Sequence, residues 1–386
     1  MTDYSERFEK LETNVVHAGA PRPHIGGAVV APIFQSANFL MADEGAYDEV
    51  RYLRLSNSPS HLTLQARLAA IESAEAGLVT ASGMAAITSS ILAFTGQGDH
   101  LMCQTTLYGG TQSFLDEDAP RLGISHTPID LRRPETWEAA VEPNTRMMYV
   151  ESISNPLMEV GDLEAVVAFC RERGLISLID STFATPVNFR PHEIGFDLVV
   201  HSATKYLNGH SDLVAGAVTG SREHVHRVRH WTLHAGGSAD AHACFLLERG
   251  LKTLVLRVTR QNENAGKLAE FLATHARVRR VNYPGLADDP GHPYAARLFD
   301  GFGGMLSFYA VDAAAAESFL DRVRIPAHAA SLGGPETLVV RPSRSSHLGL
   351  PEEERRRLGI TDDLVRVSVG IESIDELIAD FEQALG

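Results

Sequence analysis

The chain has 386 residues, 44% of them hydrophobic, and a formal net charge of −15 at pH 7. A chain of this length can bury a sizeable core and form two domains. The acidic balance argues against a nucleic-acid partner, because binding a phosphate backbone requires clustered basic side chains. No stretch approaches the roughly 20 apolar residues that a membrane span needs, so we expect no membrane partner either.

The cysteines and the amino terminus indicate the compartment. Cys103, Cys170 and Cys244 are odd in number and far apart, which suits a reducing cytosol better than a disulfide framework. The first ten residues are charged and lack the apolar stretch of a secretory signal. The sequence therefore predicts a cytoplasmic protein.

The first 240 residues show two patterns. Residues 1–60 are rich in Pro and Gly and weakly periodic, so we predict an extended arm that lies along another surface. From about residue 76, short apolar runs alternate with helical stretches. The predicted strands cover 76–82, 99–104, 146–152, 175–180 and 196–203, and the predicted helices cover 84–94 and a segment between Asp162 and Gly174. This alternation predicts that residues 61–240 form an α/β domain with a mostly parallel sheet.

After about residue 240 the pattern changes. Residues 242–275 are typical of a long amphipathic helix, interrupted near Gly250. Shorter strands are predicted over 303–311 and 364–370, and a last helix begins with the capping box Ser373 to Glu376. We interpret residues 241–386 as a smaller α+β domain.

Two side chains in the α/β domain have complementary chemistry. Asp180 ends one buried strand, and Lys205 lies just beyond the end of another. Ligands of open α/β sheets bind along that edge. Pyridoxal 5′-phosphate (PLP) needs a lysine to form an imine and a carboxylate to keep its pyridine nitrogen protonated. Taken alone, Asp180 could equally be a strand-end cap, and Lys205 could extend its amine to solvent.

A phosphate site is predicted where a strand meets the helix that follows it. Ser82, Gly83 and Met84 lie at this junction, where backbone N–H groups favour an anion and glycine permits close approach. Ser202 and Thr204 flank the lysine and could add hydroxyl donors. Many helices begin in this way without binding anything, so the junction is a weak signal by itself.

Together these motifs resemble those of the Cys/Met-metabolism PLP-dependent enzymes, which include cystathionine γ-synthase, cystathionine γ-lyase, methionine γ-lyase and the O-acylhomoserine sulfhydrylases. Residues 201–218 resemble the cofactor-lysine signature almost letter for letter. Further motifs match in order at 81–87, 107–111, 151–156, 179–186, 331–338 and 364–372. The resemblance covers nearly the whole chain. It implies the aspartate-aminotransferase-like fold (fold type I), PLP as the cofactor and an amino-acid substrate.

The resemblance also implies roles for single residues. Lys205 would bind the cofactor and move protons, Tyr108 would stack on the pyridine ring as acid and base, and Asp180 would pair with the ring nitrogen. Further cofactor contacts are implied for Ser82, Gly83, Met84, Asn155, Thr182, Ser202 and Thr204. Tyr52 and Arg54 would reach a neighbouring subunit's phosphate, in a homotetramer built from two dimers.

Arg366 is implied as the clamp for the substrate carboxylate, because its planar guanidinium offers two parallel donors. Ser331 and Asn155 would assist it. Without the resemblance, Arg366 would be interpreted as a solvated strand arginine.

Two departures from the family pattern bear on the substrate. Arg51 and Ala330 stand where cystathionine-handling members tend to have acidic residues, which favours an uncharged thioether or a ligand with a distal negative charge. Gly110 stands where methionine γ-lyases often have cysteine. We expect a carbon–sulfur lyase that acts by γ-elimination, giving 2-oxobutanoate, ammonia and a thiol. The alternatives are γ-replacement and, remotely, PLP binding without turnover.

One histidine cluster offers a competing interpretation. His226, His230 and His234 have helical i, i+4, i+8 spacing, and two of them could share a metal ion. Arg227 and Arg229 lie among them and would repel a cation. We expect a solvated or interface face of a helix and no metal site.

Overall fold

The larger of two β-sheets forms the centre of the chain. In the computed structural model, which describes residues 2–41 and 50–386, this sheet contains β1 (Ala76–Thr80), β2 (His100–Gln104), β3 (Ser125–Ile129), β4 (Thr145–Glu151), β5 (Ile176–Asp180), β6 (Leu198–His201) and β7 (Gly216–Gly220). The strand order is β1-β7-β6-β5-β4-β2-β3. β7 runs antiparallel to β1 and β6, and the other neighbours are parallel. The predicted mostly parallel sheet is therefore confirmed.

Helices cover both faces of this sheet. They are α1 (Leu11–His17), α2 (Pro59–Ile71), α3 (Gly83–Phe94), α4 (Gly109–Ser113), α5 (Leu163–Arg173), α6 (Thr185–Asn188), α7 (Arg222–Ala235), α8 (Ala241–Leu251) and α9 (Leu254–Thr274). Successive strand residues alternate between two cores, since side chains of a strand point to opposite faces. Met148 and Val150 pack on the side of α2, α5 and α8, whereas Met147 and Tyr149 pack on the side of α3 and α7.

Local sequence signals fix the ends of the helices near the sheet edge. At the start of α5, the Asp162 carboxylate accepts a hydrogen bond from the Ala165 N–H at 3.1 Å. Gly174 ends the same helix at φ 64°, a left-handed conformation that favours glycine. Ser82 caps α3 by accepting from the Ala85 N–H at 3.0 Å. Both helices therefore begin and end within one residue of their predicted limits.

The second sheet lies in the carboxyl-terminal part. Within the described residues it contains β8 (Val278–Asn282), β9 (Met305–Ala310), β10 (Ala327–His328), β11 (Leu338–Val340) and β12 (Leu364–Ser368), in the order β10-β11-β12-β9-β8. Only the β10–β11 pair in this set is parallel. The accompanying helices are α10 (His292–Leu298), α11 (Ala313–Arg322), α12 (Glu352–Arg357) and α13 (Ile374–Leu385).

The predicted interruption of the long helix is present between α8 and α9. Leu254 and Val258, in the first half of α9, belong to a core of the larger sheet. Ala265 and Leu268, one to two turns later, belong to the core of the smaller sheet. The side chains of α9 thus pass from one core to the other along the helix. The domain boundary at residue 241 stays a prediction.

Two local expectations are wrong. Ser373 precedes α13 but makes no side-chain capping bond. The helix packs on the core through a face that includes Leu377 and Phe381, and such packing contributes most of the stability of a helix in a protein. Residues 11–17 are not extended but form α1, since burial of Val15 in the core stabilises a short helix. Among the described residues, no helix combines the length and the apolar character that crossing a membrane requires.

Candidate active site

A cavity of about 540 Å³ lies at the carboxyl edge of the larger sheet. β4, β5 and β6 are adjacent parallel strands that end at this edge, so residues from distant motifs meet there. The predicted site residues that line the cavity are Ser82, Gly83, Met84, Tyr108, Asn155, Asp180, Thr182, Ser202, Thr204, Lys205, Ser331 and Arg366. Of the predicted site residues, only Tyr52 and Arg54 are not part of this lining.

Asp180, the last residue of β5, is fixed by Thr182. Its Oδ1 accepts hydrogen bonds from the Thr182 N–H at 2.9 Å and from the Thr182 hydroxyl at 2.5 Å. The Thr182 Oγ1 in turn accepts from the Ser202 N–H at 2.8 Å. Burial raises the pKa of Asp180, while the Thr182 hydrogen bonds and the charge of His201 act in the opposite direction. The carboxylate is therefore held rigidly with one oxygen satisfied.

Lys205 follows β6 and extends its amine across the cavity. Its Nζ donates to the Ser331 Oγ at 2.8 Å. Burial lowers the pKa of Lys205 to about 8, and the charge of Arg366 acts in the same direction. The amine therefore loses its proton more readily than an ordinary lysine. Ser331 has φ 97°, a conformation that costs energy for a residue other than glycine and that clusters at functional sites.

The start of α3 forms a cradle for an anion. A Cβ atom at Gly83 would lie 2.7 Å from the Cβ of Ser202, so only glycine permits this approach. The first N–H groups of a helix have no partner within the helix. The N–H groups of Gly83 and Met84 are therefore available to a phosphate beside the Ser202 hydroxyl.

Thr204 is engaged differently from what we expected. Its Oγ1 donates to the Ala215 carbonyl at 3.2 Å and accepts from the Ala215 N–H at 3.1 Å. The hydroxyl lines the cavity but already uses its proton, because a hydroxyl has a single hydrogen to donate. To donate to a phosphate, it would have to give up the bond to the carbonyl.

Arg366, on β12, enters the cavity from the second sheet. Its Nη1 donates to the Asn155 Oδ1 at 2.9 Å, and its Nη2 donates to the Ser331 carbonyl at 3.2 Å. The Nε is buried and has no partner among the described residues. Burial lowers the pKa of Arg366 to about 10, which leaves it charged at neutral pH. An orphaned donor on a buried guanidinium suits an anionic ligand.

Tyr108 precedes α4, and its side chain is 43% exposed. The Tyr108 N–H donates to the Glu151 Oε1 at 2.6 Å. A Cβ atom at Gly110 would lie 2.7 Å from the Tyr108 ring and 3.2 Å from the Met84 sulfur. A larger residue at position 110 would therefore require the ring to shift.

Several residues of the cavity were missed by the sequence analysis. The apolar ones, which lie within the quoted motifs but were assigned no role, are Ile87, Ile153, Phe183, Val214 and Leu332. Ser345 and Ser346 lie on a loop that no quoted motif covers. Glu151 could have been found, because it ends a buried strand next to that of Asp180 and opens the motif at 151–156.

Tyr52 and Arg54 lie elsewhere on the chain. Arg54 Nη1 donates to the Leu233 carbonyl at 3.0 Å, near the end of α7, and its guanidinium lies 5.9 Å from the Tyr52 ring. Their role in a neighbouring subunit stays a prediction. His226, His230 and His234 are exposed on α7, and the described residues contain no group of three or more His, Cys, Asp or Glu that could hold a metal ion.

Comparison with known proteins identifies the family. Residues 12–386 match the family model of the Cys/Met metabolism PLP-dependent enzymes. The chain belongs to this family. It is 40% identical to a cystathionine γ-lyase of Bacillus subtilis (strain 168), over 97% of this chain and 99% of that protein. It is also 40% identical to an L-methionine γ-lyase of Pseudomonas putida, over 99% and 98%.

A solved structure of a cystathionine γ-synthase from Xanthomonas oryzae pv. oryzae superposes with a TM-score of 0.94 at 36% identity, covering 98% of each chain. The family protein described here therefore has fold type I, as expected. Other matching relatives are named cystathionine β-lyases and a cystathionine γ-synthase. Membership of the family consequently establishes a PLP-dependent enzyme of sulfur amino-acid metabolism without selecting one reaction.

The residues of the cavity fit PLP. A rigidly held carboxylate, Asp180, and an amine with a lowered pKa, Lys205, lie at one sheet edge. Gly83 lies at the start of the twelve-residue helix α3 and has no Cβ atom, which leaves space beside Ser202. The donor set thus matches a phosphorylated aldehyde with a ring nitrogen.

Proposed function

We propose that this protein is a carbon–sulfur lyase that removes the γ-substituent of a sulfur amino acid, giving 2-oxobutanoate, ammonia and a thiol. The observation that supports this most is the charge of the cavity. Within the described lining, Asp, Glu, Lys and Arg occur only as Glu151, Asp180, Lys205 and Arg366. The remaining side chains are uncharged, which suits a thioether.

The predicted site residues of the cavity divide into those that hold the cofactor and those that orient the substrate. When bound, PLP supplies an electron sink that stabilises negative charge on the carbon atoms near the amino group. Lys205 holds the cofactor and carries the proton of the substrate Cα on its Nζ. Asp180 keeps the ring nitrogen protonated. Gly83, Met84 and Ser202 hold the phosphate, and Ser82, Thr182 and Thr204 support them.

The substrate is oriented and cleaved by groups on the other side of the cavity. Arg366 binds the substrate carboxylate, and Asn155 and Ser331 hold the guanidinium in place through the bonds described above. Tyr108 donates a proton to the leaving sulfur, because its phenol is accessible from the cavity.

Methionine is the substrate that this site suits best. Ala330 lines the cavity and offers no carboxylate to the distal ammonium of cystathionine. Arg51 is not part of the described lining of its own chain's cavity, and its guanidinium lies 5.8 Å from the Phe39 ring. The case against cystathionine therefore depends on Ala330.

The alternative is γ-replacement, in which a thiol or sulfide captures the same partly reacted substrate. The structural match to a γ-synthase favours keeping this reaction as the second candidate. The two reactions use the same residues of the chain and differ in which nucleophile enters the cavity.

A substrate panel on the PLP-loaded protein tests the proposal. Methionine, cystathionine, homocysteine and O-acetyl- or O-succinylhomoserine, with and without sulfide, are followed for 2-oxobutanoate, pyruvate and newly formed homocysteine. We expect 2-oxobutanoate and methanethiol from methionine. Pyruvate from cystathionine would indicate β-elimination, and homocysteine formed from an O-acylhomoserine and sulfide without 2-oxo acid would indicate γ-replacement. The Lys205→Ala variant is the control for background reaction.

Assembly and location belong to the same proposal. We propose a homotetramer of two dimers in the cytoplasm, in which Tyr52 and Arg54 complete the neighbour's site. The arm before the first sheet supports this, because Val29 is 88% and Leu40 99% exposed. Apolar side chains exposed to this degree suit a surface that another subunit covers.

A further inference from the structure

Glu151 and Asp180 form a pair of buried carboxyl groups at the cavity. Glu151 ends β4, Asp180 ends β5, and the two residues are in register in the parallel pairing. Residues in register on neighbouring strands project their side chains to the same face. Glu151 is 5% and Asp180 8% exposed, so the two groups share one poorly solvated space.

The two carboxyl groups have different hydrogen-bond donors. Asp180 accepts from both the N–H and the hydroxyl of Thr182, whereas Glu151 has backbone donors, the Tyr108 N–H at 2.6 Å and the N–H of Asn155. Among residues 2–41 and 50–386, no arginine or lysine forms an ion pair with Glu151. Two negative charges this close in a dry site are unfavourable, so one carboxyl group retains a proton.

The surrounding groups do not relieve this repulsion at Glu151. Lys205 is bonded to Ser331, and Arg366 is bonded to Asn155 and Ser331. Tyr149, on β4, is fully buried, and burial raises its pKa further above the neutral range. His201 on β6, which acts on Asp180, is paired with Glu72 at 2.6 Å.

The pKa of Glu151 is raised well above its usual value by burial and by the charge of Asp180. The N–H groups of Tyr108 and Asn155 act in the opposite direction without reversing the shift. This direction agrees with the surroundings of the pair, because the Thr182 hydroxyl and the charge of His201 favour the negative charge on Asp180.

Glu151 also has a structural connection to the catalytic tyrosine. The Tyr108 carbonyl accepts hydrogen bonds from the N–H groups of Thr111 and Gln112 at 2.9 and 3.0 Å. These bonds fix the carbonyl end of Tyr108 to the first turn of α4. The Tyr108 N–H lies outside this helix, and Glu151 is its partner. Removing the Glu151 acceptor would leave the tyrosine anchored on one side only.

We propose that Glu151 is a positioning residue that carries a proton: it fixes Tyr108 through the backbone N–H and leaves the negative charge of the carboxyl pair on Asp180. The catalytic meaning of this placement rests on the proposed function of Tyr108. The protonation does not, since it follows from the two carboxyl groups alone.

The first experiment measures thermal unfolding of the full-length chain, with and without PLP, between pH 5 and 9. The raised pKa of a buried glutamate means that its stabilising contribution is complete below the unfolded value of 4.5 and is lost as pH rises through the folded value. Glu151→Gln has no proton to lose. The Tm of the wild type should therefore fall relative to Glu151→Gln by about 2 °C or more as pH rises.

Two comparisons make this result specific. Glu172→Gln, at a side chain that is 74% exposed, should show no such pH trend. In an Asp180→Asn background the trend produced by Glu151→Gln should shrink, because the repelling charge has been removed. A Tm difference that is constant with pH, or one in which the wild type gains as pH rises, would overturn the proposal.

The second experiment compares Glu151→Gln with Glu151→Ala on the PLP-loaded enzyme, using the substrate that the panel identifies. Glutamine keeps an acceptor for the Tyr108 N–H and mimics a neutral acid, so kcat should stay within about twofold. Alanine should lower kcat by about tenfold or more, with a smaller change in KM, because a displaced catalytic group costs rate. Equal damage by both variants would refute the positioning role. A failure of the proposed reaction would leave the unfolding result unchanged.

Discussion

The cavity has two walls that are built differently. The sheet wall consists of Glu151, Asp180, Thr182, Ser202 and Lys205, at or just beyond the ends of parallel strands. The loop wall consists of Ala330, Ser331, Leu332, Ser345 and Ser346, to which β12 adds Arg366. In the sheet wall, a chain of short hydrogen bonds joins Asp180, Thr182 and Ser202 at the ends of paired strands. In the loop wall, position depends on turns, including the strained backbone of Ser331.

This difference separates two kinds of function. In the proposed function the sheet wall carries Lys205 and Asp180, which would hold the cofactor, and a rigid scaffold suits them because catalytic geometry tolerates little displacement. The loop wall is uncharged apart from Arg366, and loops accept substitutions more readily than strands. Loss of Lys205 or Asp180 in the sheet wall should abolish activity altogether, whereas changes at the uncharged residues of the loop wall should redistribute it among substrates.

The largest effect is expected at Lys205. Lys205→Ala should lower turnover of every substrate by roughly a thousandfold or more while leaving the fold intact, because covalent cofactor attachment and proton transfer are lost together. Borohydride reduction and peptide mapping should place the cofactor label on the Lys205 peptide. Lys252→Ala, at a lysine paired with Glu248 at 3.6 Å, is the matched control and should retain activity. A label on Lys252 or Lys267 would contradict the assignment.

Arg366 tests whether the clamp is shared by all substrates. Arg366→Lys keeps the charge but loses the planar pair of donors. For each amino acid in the panel, kcat/KM should therefore fall by a factor that corresponds to a loss of about 2–4 kcal/mol of transition-state binding. Arg341→Lys, at another buried arginine that lies outside the cavity, controls for loss of stability. If a single substrate suffers, Arg366 recognises a side chain and the clamp lies elsewhere.

The contrast between the walls also explains what the sequence could predict. Asp180 and Lys205 were found because a buried strand is visible as an apolar run and its end marks the ligand edge of a parallel sheet. Glu151 ends the predicted strand β4 in the same way, but the sequence does not show which strand lies beside it. Strand pairing in register with Asp180 is a property of the fold, and it was needed to show that the two carboxyl groups are neighbours.

The rest depended on tertiary contacts. Arg366 sits in a strand whose sequence alone suggests an exposed arginine, and its role came only from the family resemblance. Ser345 and Ser346 reach the cavity through a loop, where no periodicity indicates direction. Residues 11–17 were likewise predicted to be extended but form α1, in which Val15 is buried. Packing in the core can outweigh a weak local preference for extended structure.

Ala330 is the sharpest probe of the loop wall. Ala330→Glu should raise the kcat/KM ratio of cystathionine to methionine by roughly threefold to tenfold, because a carboxylate then faces the distal ammonium. Ala329→Glu, at the exposed neighbouring position that is not part of the described lining, should leave the ratio unchanged. Efficient cleavage of cystathionine by the unmodified protein would show that Ala330 does not exclude it.

A third contribution to the site is expected from the neighbouring subunit, and it gives the smallest signal. Arg54 lies near the end of α7 and does not line the cavity of its own chain. If it serves the neighbour, co-expressed Arg54→Ala and Lys205→Ala subunits should complement each other. In a mixed dimer, one of the two sites then has both residues intact. Random pairing gives one half mixed dimers, so about a quarter of wild-type activity should return.

The control for this experiment combines two variants whose substituted residues both belong to the sheet wall. Asp180→Asn and Lys205→Ala both damage the site of their own subunit, so every site in every mixture is defective and activity should stay absent. If Arg54→Ala with Lys205→Ala behaves like this control, Arg54 acts within its own chain. Full activity of a dilute monomer would also refute a shared site, because the cavity would then be complete without a neighbour. Recovery in the mixture of Arg54→Ala and Lys205→Ala alone would show that the arm of one subunit contributes to the site of its neighbour.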